Sequence, residues 1–153
     1  MADAKFVYSI VIRTTPEKLW DALTKPEFTR QYWCEIVHET TWEPGAPWLL
    51  RLPDGRVGDS GQIVEIEKPR KIVFKWRNEF VPAMRTEGYS RCTIELEPVG
   101  DAVKLTIVHE ADAKDANLIE GVSQGWPSLL SSLKSLLETG EALEITKKLP
   151  KGM

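Results

Sequence analysis

The segment Gly125-Trp-Pro-Ser-Leu-Leu-Ser-Ser-Leu-Lys-Ser-Leu-Leu-Glu138 decides the fold of this chain. The apolar positions that form one continuous helical stripe are Val122, Trp126, Leu129, Leu130, Leu133, Leu136 and Leu137. The opposite, polar face is predicted at Ser128, Ser131, Ser132, Lys134 and Ser135. The pattern predicts a helix from about Asn117 to Glu138, with Gly140 ending it. Pro127 must either kink this helix or mark the start of its regular part.

Upstream of this helix, the spacing of apolar residues changes to every second position, which is typical of half-buried strands. The predicted strands are Trp48 to Leu52, Val57 to Glu67, Ile72 to Trp76, Cys92 to Leu96 and Val103 to His109. Short turns such as Pro53-Asp54-Gly55 separate them. Strands joined by short turns predict an antiparallel meander.

The chain opens with a further strand and two short helices. Phe6 to Ile12 is rich in β-branched and aromatic residues and predicts a strand. Thr15 followed by Pro16 is typical of a helix start, because proline lacks only an N–H that would be unpaired there. Lys25-Pro26 ends this helix and opens a second one that runs to about Tyr32.

These elements predict an α+β fold of about six to seven strands within one domain, residues 1–153. One long helix has one apolar stripe and one antiparallel sheet has one apolar face. Laying the helix across the sheet buries both. A curved sheet around a helix also leaves room for a cavity between them. Cys34 and Cys92 are too few for a disulfide framework.

The charge balance argues against nucleic acid as a partner. Lys and Arg total 20, Asp and Glu total 23, and the net charge of −3 provides no surplus to neutralise phosphates. No run of 18 apolar residues occurs, so no membrane span is predicted. The first residues lack the apolar core of a signal peptide, so the expected location is the cytoplasm.

No cofactor or metal is expected. Cys34 and His38 are four residues apart, but the segment between them predicts extended chain, where that spacing is about 13 Å. Neither a CxxC nor an HExxH motif is present. Phosphate-binding loops, the dinucleotide fingerprint and the G-x-S-x-G elbow are absent as well.

His109 is the most interesting polar residue, because strand parity places it on the inner face with Val103, Leu105 and Ile107. It could orient a ligand or act as a general acid or base near neutral pH. The alternative is a core histidine that is satisfied by neighbouring groups. No partner carboxylate is visible beside it, so it is only a weak catalytic candidate.

The composition is unusual in its six tryptophans. Trp20 falls on the inward stripe of the first helix and is expected to be core, whereas several others fall at the ends of elements. Such positions can line an apolar pocket, or they can simply fill the core. The predicted ligand-binding residues are Trp33, Trp48, Trp76, Tyr89, His109, Trp126, Leu130 and Leu133. Trp42 has no predicted place.

The connection from Asn78 to Gly88 is the longest in the meander. It is expected to expose Phe80, Val81 and Met84. It could be a lid over a cavity, part of a dimer contact, or an ordinary loop folded back on the sheet.

Several motifs of the chain resemble those of a known family. They are Thr15-Pro-Glu-Lys-Leu-Trp-Asp-Ala-Leu-Thr24, Gln31-Tyr-Trp33, Pro44-Gly-Ala-Pro-Trp48, Asp54-Gly55, Gly61-Gln-Ile63, His109-Glu110 and, most specific, Gly125 to Glu138. From about Val7 to Gly140 the chain resembles bacterial proteins related to the activator of the heat-shock-protein-90 ATPase, in the START-like or SRPBCC superfamily. The resemblance implies the helix-grip fold and a cavity. It leaves function open, since the superfamily includes lipid carriers, hormone receptors, cyclases and a co-chaperone.

Three functions remain as hypotheses. The first is non-catalytic binding of a small apolar or amphipathic ligand between the sheet and the last helix. The second is a cyclase or hydrolase that uses His109 as acid or base. The third is an interaction protein, such as a co-chaperone or regulatory partner, and a homodimer is compatible with it.

Overall fold

The computed structural model describes residues 4–112 and 116–149. In chain order the elements are β1 (Ala4–Ile12), α1 (Pro16–Thr24), α2 (Pro26–Tyr32), β2 (Val37–Glu39), β3 (Pro47–Arg51), β4 (Val57–Glu67), β5 (Lys71–Asn78), α3 (Pro82–Arg85), β6 (Ser90–Val99), β7 (Ala102–Ala111) and α4 (Asn117–Thr139). A 3-10 turn, Glu144–Thr146, follows α4.

The strands form one seven-stranded sheet in the order β1-β7-β6-β5-β4-β3-β2, and every neighbouring pair is antiparallel. β1 and β2 lie at opposite edges, so α1 and α2 carry the chain from one edge to the other. From β3 onward the strands follow one another as a meander. The predicted α+β architecture is confirmed.

The helix boundaries have the local causes that the sequence suggests. The Thr15 hydroxyl caps α1 by accepting a hydrogen bond from the Lys18 amide at 3.2 Å, and Pro16 is the first helical residue. α4 ends at Gly140, whose φ of 90° favours glycine. Since α4 already begins at Asn117, Pro127 lies in its interior and does not mark its start.

None of the described helices is long and apolar enough to cross a bilayer.

The second half of α4 lies against the sheet and forms the core with it. Leu130 and Leu133 are fully buried, as are Ile12, Leu105 and Ile107. Ser132 is also fully buried, so its predicted place on the polar face is wrong. The chain after Gly140 turns back over this side of the helix. As a result the Ser132 hydroxyl accepts hydrogen bonds from the Leu143 amide and the Thr146 hydroxyl, at 2.9 and 2.6 Å.

Gly61 marks a close approach within the sheet. It pairs with Trp48 on β3 and Trp76 on β5, and these two indole rings meet with centroids 4.6 Å apart. A Cβ at this position would overlap the backbone carbonyl of Lys75. Register shifts occur between Leu50 and Arg51, and within β4 between Ile63 and Glu65, and such bulges bend and twist a sheet.

We expect Gly61→Ala to destabilise the protein by about 1–3 kcal/mol, because the β5 backbone cannot move away without breaking the ladder. Gly125→Ala is the matched control. A Cβ at Gly125 meets no atom within 4 Å, and alanine is the better helix former by up to about 1 kcal/mol. Urea unfolding of both variants measures the difference. Equal stabilities would contradict this account of Gly61.

Candidate functional site

A cleft of about 600 Å³ lies between the first half of α4 and the β3–β5 part of the sheet. The segment after α2, the loop around α3 and the turn after α4 complete its walls. Most of its lining is apolar, with a few polar side chains, Asp59 and Asn78 among them. This balance is typical of small-molecule sites.

Three tryptophans from separate parts of the chain meet at one wall of the cleft. Trp33 follows α2, Trp76 lies on β5 and Trp126 lies on α4. Their ring centroids are 5.6 Å apart for Trp33 and Trp126, 5.8 Å for Trp76 and Trp126, and 6.4 Å for Trp33 and Trp76. We call these residues the tryptophan triangle. They provide a broad aromatic surface.

The other predicted aromatic residues lie elsewhere. Trp48 is fully buried behind Trp76, and its indole N–H donates to Nδ1 of His38 at 2.9 Å. Trp42 packs on the same histidine ring, with centroids 5.1 Å apart. Tyr89 is half exposed outside the cleft, with the Arg77 guanidinium 4.6 Å from its ring centroid. Leu130 and Leu133 are core residues outside the lining.

His109 is fully buried, and both of its ring nitrogens are hydrogen bonded. The Trp126 indole N–H donates to Nδ1 at 3.3 Å. The Ser90 hydroxyl lies 2.8 Å from the Trp76 carbonyl, which can only accept, so that hydroxyl is the donor there. Ser90 Oγ therefore accepts from Nε2–H of His109 at 2.9 Å. These contacts define one tautomer and link α4 to β5 through the imidazole.

Burial lowers the pKa of His109 to about 3, and that of His38 likewise to about 3. Both rings are therefore neutral at physiological pH. His109 is not among the residues that line the cleft, and its nitrogens are occupied by protein groups. This geometry favours the core-histidine interpretation, in which His109 orients Trp126.

The Asn78–Gly88 loop folds over the cleft. The Asn78 side-chain oxygen accepts hydrogen bonds from the Phe80 and Val81 amides, at 3.1 and 2.8 Å. This turn brings Phe80, Val81 and Met84 to the cleft wall, where all three are half-buried. The expectation that they are exposed is wrong, because Met84 packs against α4 at Gly121.

Asp59 on β4 is a cleft residue that was not predicted. Its Oδ1 is buried and has no hydrogen-bond partner in the described part of the chain. Burial raises the pKa of its carboxyl group to about 7. The nearby Glu79 charge also raises it, while the Trp76 and Asn78 side chains lower it. Asp59 precedes the buried Ile63 by four residues, and residues an even number apart in a strand point to the same face. This spacing could have predicted that Asp59 points inward.

Among residues 4–112 and 116–149, no three histidine, cysteine or acidic side chains come together as a metal site. Cys34 lines the cleft, and burial raises the pKa of its thiol. The His38 ring accepts a hydrogen bond from Trp48, and His38 is not part of the cleft lining. The two residues do not form the pair that their spacing in the sequence would allow on a helix.

Comparison with solved structures defines the class of the fold. A protein of Mesorhizobium loti matches with a TM-score of 0.75 and 23% identity, over 88% of this chain and 97% of the other. The Aha1 dimer of Colwellia psychrerythraea matches with a TM-score of 0.71 and 18% identity, over 91% and 99%. A Plasmodium falciparum Hsp90 activator has a TM-score of 0.70 and 25% identity, over 87% and 95%. The fold is thus the helix-grip fold of START-like proteins.

The sequence model described as "Activator of Hsp90 ATPase homolog 1-like protein" matches residues 13–138. The chain belongs to this family, as its motifs suggest. No curated protein matches the sequence.

The two buried histidines predict a specific acid sensitivity. Their folded pKa values lie below the ordinary value of 6.5, so the unfolded chain takes up their protons first. Their contribution is complete above about pH 6.5 and is lost as the pH falls towards 3, by about 2–3 kcal/mol per histidine at pH 4.5. We expect His109→Gln to lower stability at pH 7 but to flatten this decline.

Urea unfolding of wild type and His109→Gln between about pH 7 and pH 4.5 measures the two slopes. Asp59 has the opposite pH dependence, since its raised pKa favours the folded state as the pH falls. Its contribution is the same in wild type and in His109→Gln, so it does not affect the comparison of their slopes. His38→Gln is the second variant and should flatten the decline similarly. Parallel pH profiles for wild type and both variants would contradict the assignment.

Proposed function

We propose that the protein binds a small apolar or amphipathic ligand in the cleft between the sheet and α4, without catalysing a reaction on it. The observation that carries the proposal is the cleft itself, with a volume of about 600 Å³ and the tryptophan triangle at its wall. Small-molecule sites commonly measure about 300–1,000 Å³. Burial of the ligand's apolar surface against the aromatic rings would supply the affinity.

Two features support a binding role over an acid–base role. The imidazole of His109 is neutral, fully buried and hydrogen bonded at both nitrogens. A general base must reach the proton that it removes, and His109 is not part of the cleft lining.

Both cysteines are free thiols, which supports the proposed site of action in the reducing cytoplasm.

Blocking the cleft should abolish binding while the fold persists. Gly125 lines the cleft on α4, and no atom lies within 4 Å of a Cβ built there. In Gly125→Phe the aromatic ring would occupy the space beside Trp126. Titration with the neutral fluorescent probe N-phenyl-1-naphthylamine should show saturable binding to wild type and at least a tenfold loss in this variant.

Gly125→Ala is the matched control, because it adds only a methyl group at the same position. Its affinity for the probe should stay within about twofold of wild type, and circular dichroism should show both variants folded. Undiminished probe binding by folded Gly125→Phe would contradict the proposal. Native mass spectrometry of freshly purified wild type can then identify a ligand that copurifies.

A second candidate rests on the family. The Plasmodium falciparum neighbour is described as an Hsp90 activator and is 25% identical over 87% of this chain. The corresponding proposal is that the protein contacts an Hsp90-type chaperone and stimulates its ATPase. Another neighbour was solved as a dimer, so self-association is a compatible feature of this candidate.

The ATPase candidate predicts that adding the protein to an Hsp90 from the same source raises ATP turnover several-fold. The Gly125→Phe variant should stimulate as well as wild type if a surface, not the cleft, makes the contact. Unchanged turnover at saturating concentrations of the wild-type protein would exclude this candidate. It would leave the ligand-binding proposal unaffected.

A further inference from the structure

Asp59 stands out as a carboxylate in the apolar wall of the cleft. It lies near the start of β4, an interior strand, where it pairs with Leu50 on β3 and with Asn78 on β5. Both neighbours are buried, with exposed fractions of 2% and 7%. Aspartate is disfavoured in strands, and a buried carboxylate is unfavourable unless a partner compensates it.

Asp59 has no cationic partner in residues 4–112 and 116–149, since none of the salt bridges there involves it. The two nearby arginines are engaged elsewhere. Arg77 Nε lies 2.6 Å from a Glu79 oxygen and Arg85 Nε lies 3.6 Å from the other. The Ser60 hydroxyl also donates to Glu79, at 2.7 Å. The surface cations therefore neutralise Glu79 and leave Asp59 uncompensated.

The protein groups beside Asp59 are neutral donors. The Trp76 and Asn78 side chains favour its charged form. Asn78 can present its NH₂ group because its oxygen is used by the loop amides of Phe80 and Val81. A carboxylate has about four acceptor positions, and among the residues that the structure describes Oδ1 has no partner. The site thus retains acceptor capacity and negative charge next to an aromatic surface.

We propose that the cleft selects an amphipathic cation, whose apolar body packs on the tryptophan triangle and whose protonated amine pairs with the Asp59 carboxylate. This inference rests on the proposed ligand-binding function and specifies the chemical class of the ligand. The ammonium group supplies both the missing positive charge and hydrogen-bond donors. Rotation of the carboxylate about its last side-chain bond exchanges the two oxygens, so either can face the amine.

The aromatic wall is compatible with the same ligand. Trp33, Trp76 and Trp126 all line the cleft, and indole is the ring that attracts cations most strongly. An anionic ligand would be repelled by the ionised Asp59 carboxylate in the cleft wall. A neutral alcohol could donate one hydrogen bond but would leave the carboxylate charge unpaired.

Binding of the amine should strengthen as Asp59 ionises, from below to above about pH 7. The charged groups of the neighbouring elements are Glu79 and the two arginines bound to it, Arg77 and Arg85. The Cys34 thiol is the other titratable group of the cleft lining. Burial raises the pKa of that thiol, so it stays neutral in this range. The lining of α4 that faces the cleft contributes no titratable side chain.

The test is competition against N-phenyl-1-naphthylamine near pH 8 with three probes of equal chain length, namely decylammonium, decanol and decanoate. In wild type we expect decylammonium to bind about tenfold more tightly than decanol, and decanoate to bind most weakly. In Asp59→Asn the ratio of the affinity for decylammonium to that for decanol should fall to about one. Saturable binding of the neutral fluorescent probe to Asp59→Asn shows that the cleft persists in the variant.

Asp54→Asn is the matched control, since it removes one negative charge from an exposed turn where Asp54 pairs with Arg56. It should keep the tenfold preference. Equal binding of decylammonium and decanol by wild type, or a preference that persists in Asp59→Asn, would overturn the inference and leave the cleft proposal standing. Failure of every probe, the fluorescent one included, would overturn both.

The Asp59→Asn variant should fold, because the substitution removes an unfavourable buried charge. The raised pKa means that the folded state retains a proton that the unfolded chain loses above about pH 4, so wild-type stability falls from there towards pH 7. Asp59→Asn should therefore have a higher Tm than wild type near pH 8, with a smaller difference near pH 5. A lower Tm at pH 8 would contradict this view of Asp59 as an uncompensated charge.

Discussion

Burial of the apolar stripe of α4 against the sheet is the interaction on which the rest of this structure depends. Leu130 and Leu133 fill the space above β1 and β7, where Ile12, Leu105 and Ile107 are fully buried. At Trp126 the contact becomes polar as well, since the indole N–H donates to His109. His109 donates to the Ser90 hydroxyl, which in turn donates to the Trp76 carbonyl. One buried chain of hydrogen bonds therefore connects the helix to three neighbouring strands, β7, β6 and β5.

The cleft follows from how α4 changes along its length. Its second half presents leucines that fill the space over the sheet, whereas its first half presents Gly121 and Gly125 towards the same side. Beside these two glycines the space between helix and sheet stays open, and Trp33 and the loop that Asn78 holds in place line it from other directions. The close packing under the second half of α4 and the cleft beside its two glycines thus belong to one helix.

Much of the fold could be predicted from the sequence because its elements carry local signals. The Thr15-Pro16 cap, the alternation in β7 and the leucine stripe of α4 each reflect a short-range preference, and each is found where expected. The prediction that Ser132 lies on the exposed polar face was wrong, because helical periodicity does not show that the chain turns back after Gly140. The returning chain covers Ser132. Met84 was misplaced for the same kind of reason, since it packs against α4 at Gly121.

The sequence by itself determined the element order, the inward faces of strands and helix, and family membership, because periodicity and capping act over a few residues. Only the tertiary structure decided which tryptophans meet. Trp33, Trp76 and Trp126 come together, while Trp48 lies behind them and Tyr89 outside. It also decided that His109 is satisfied while Asp59 is not. Hydrogen-bond satisfaction and charge compensation depend on groups far apart in the chain, so no local pattern encodes them.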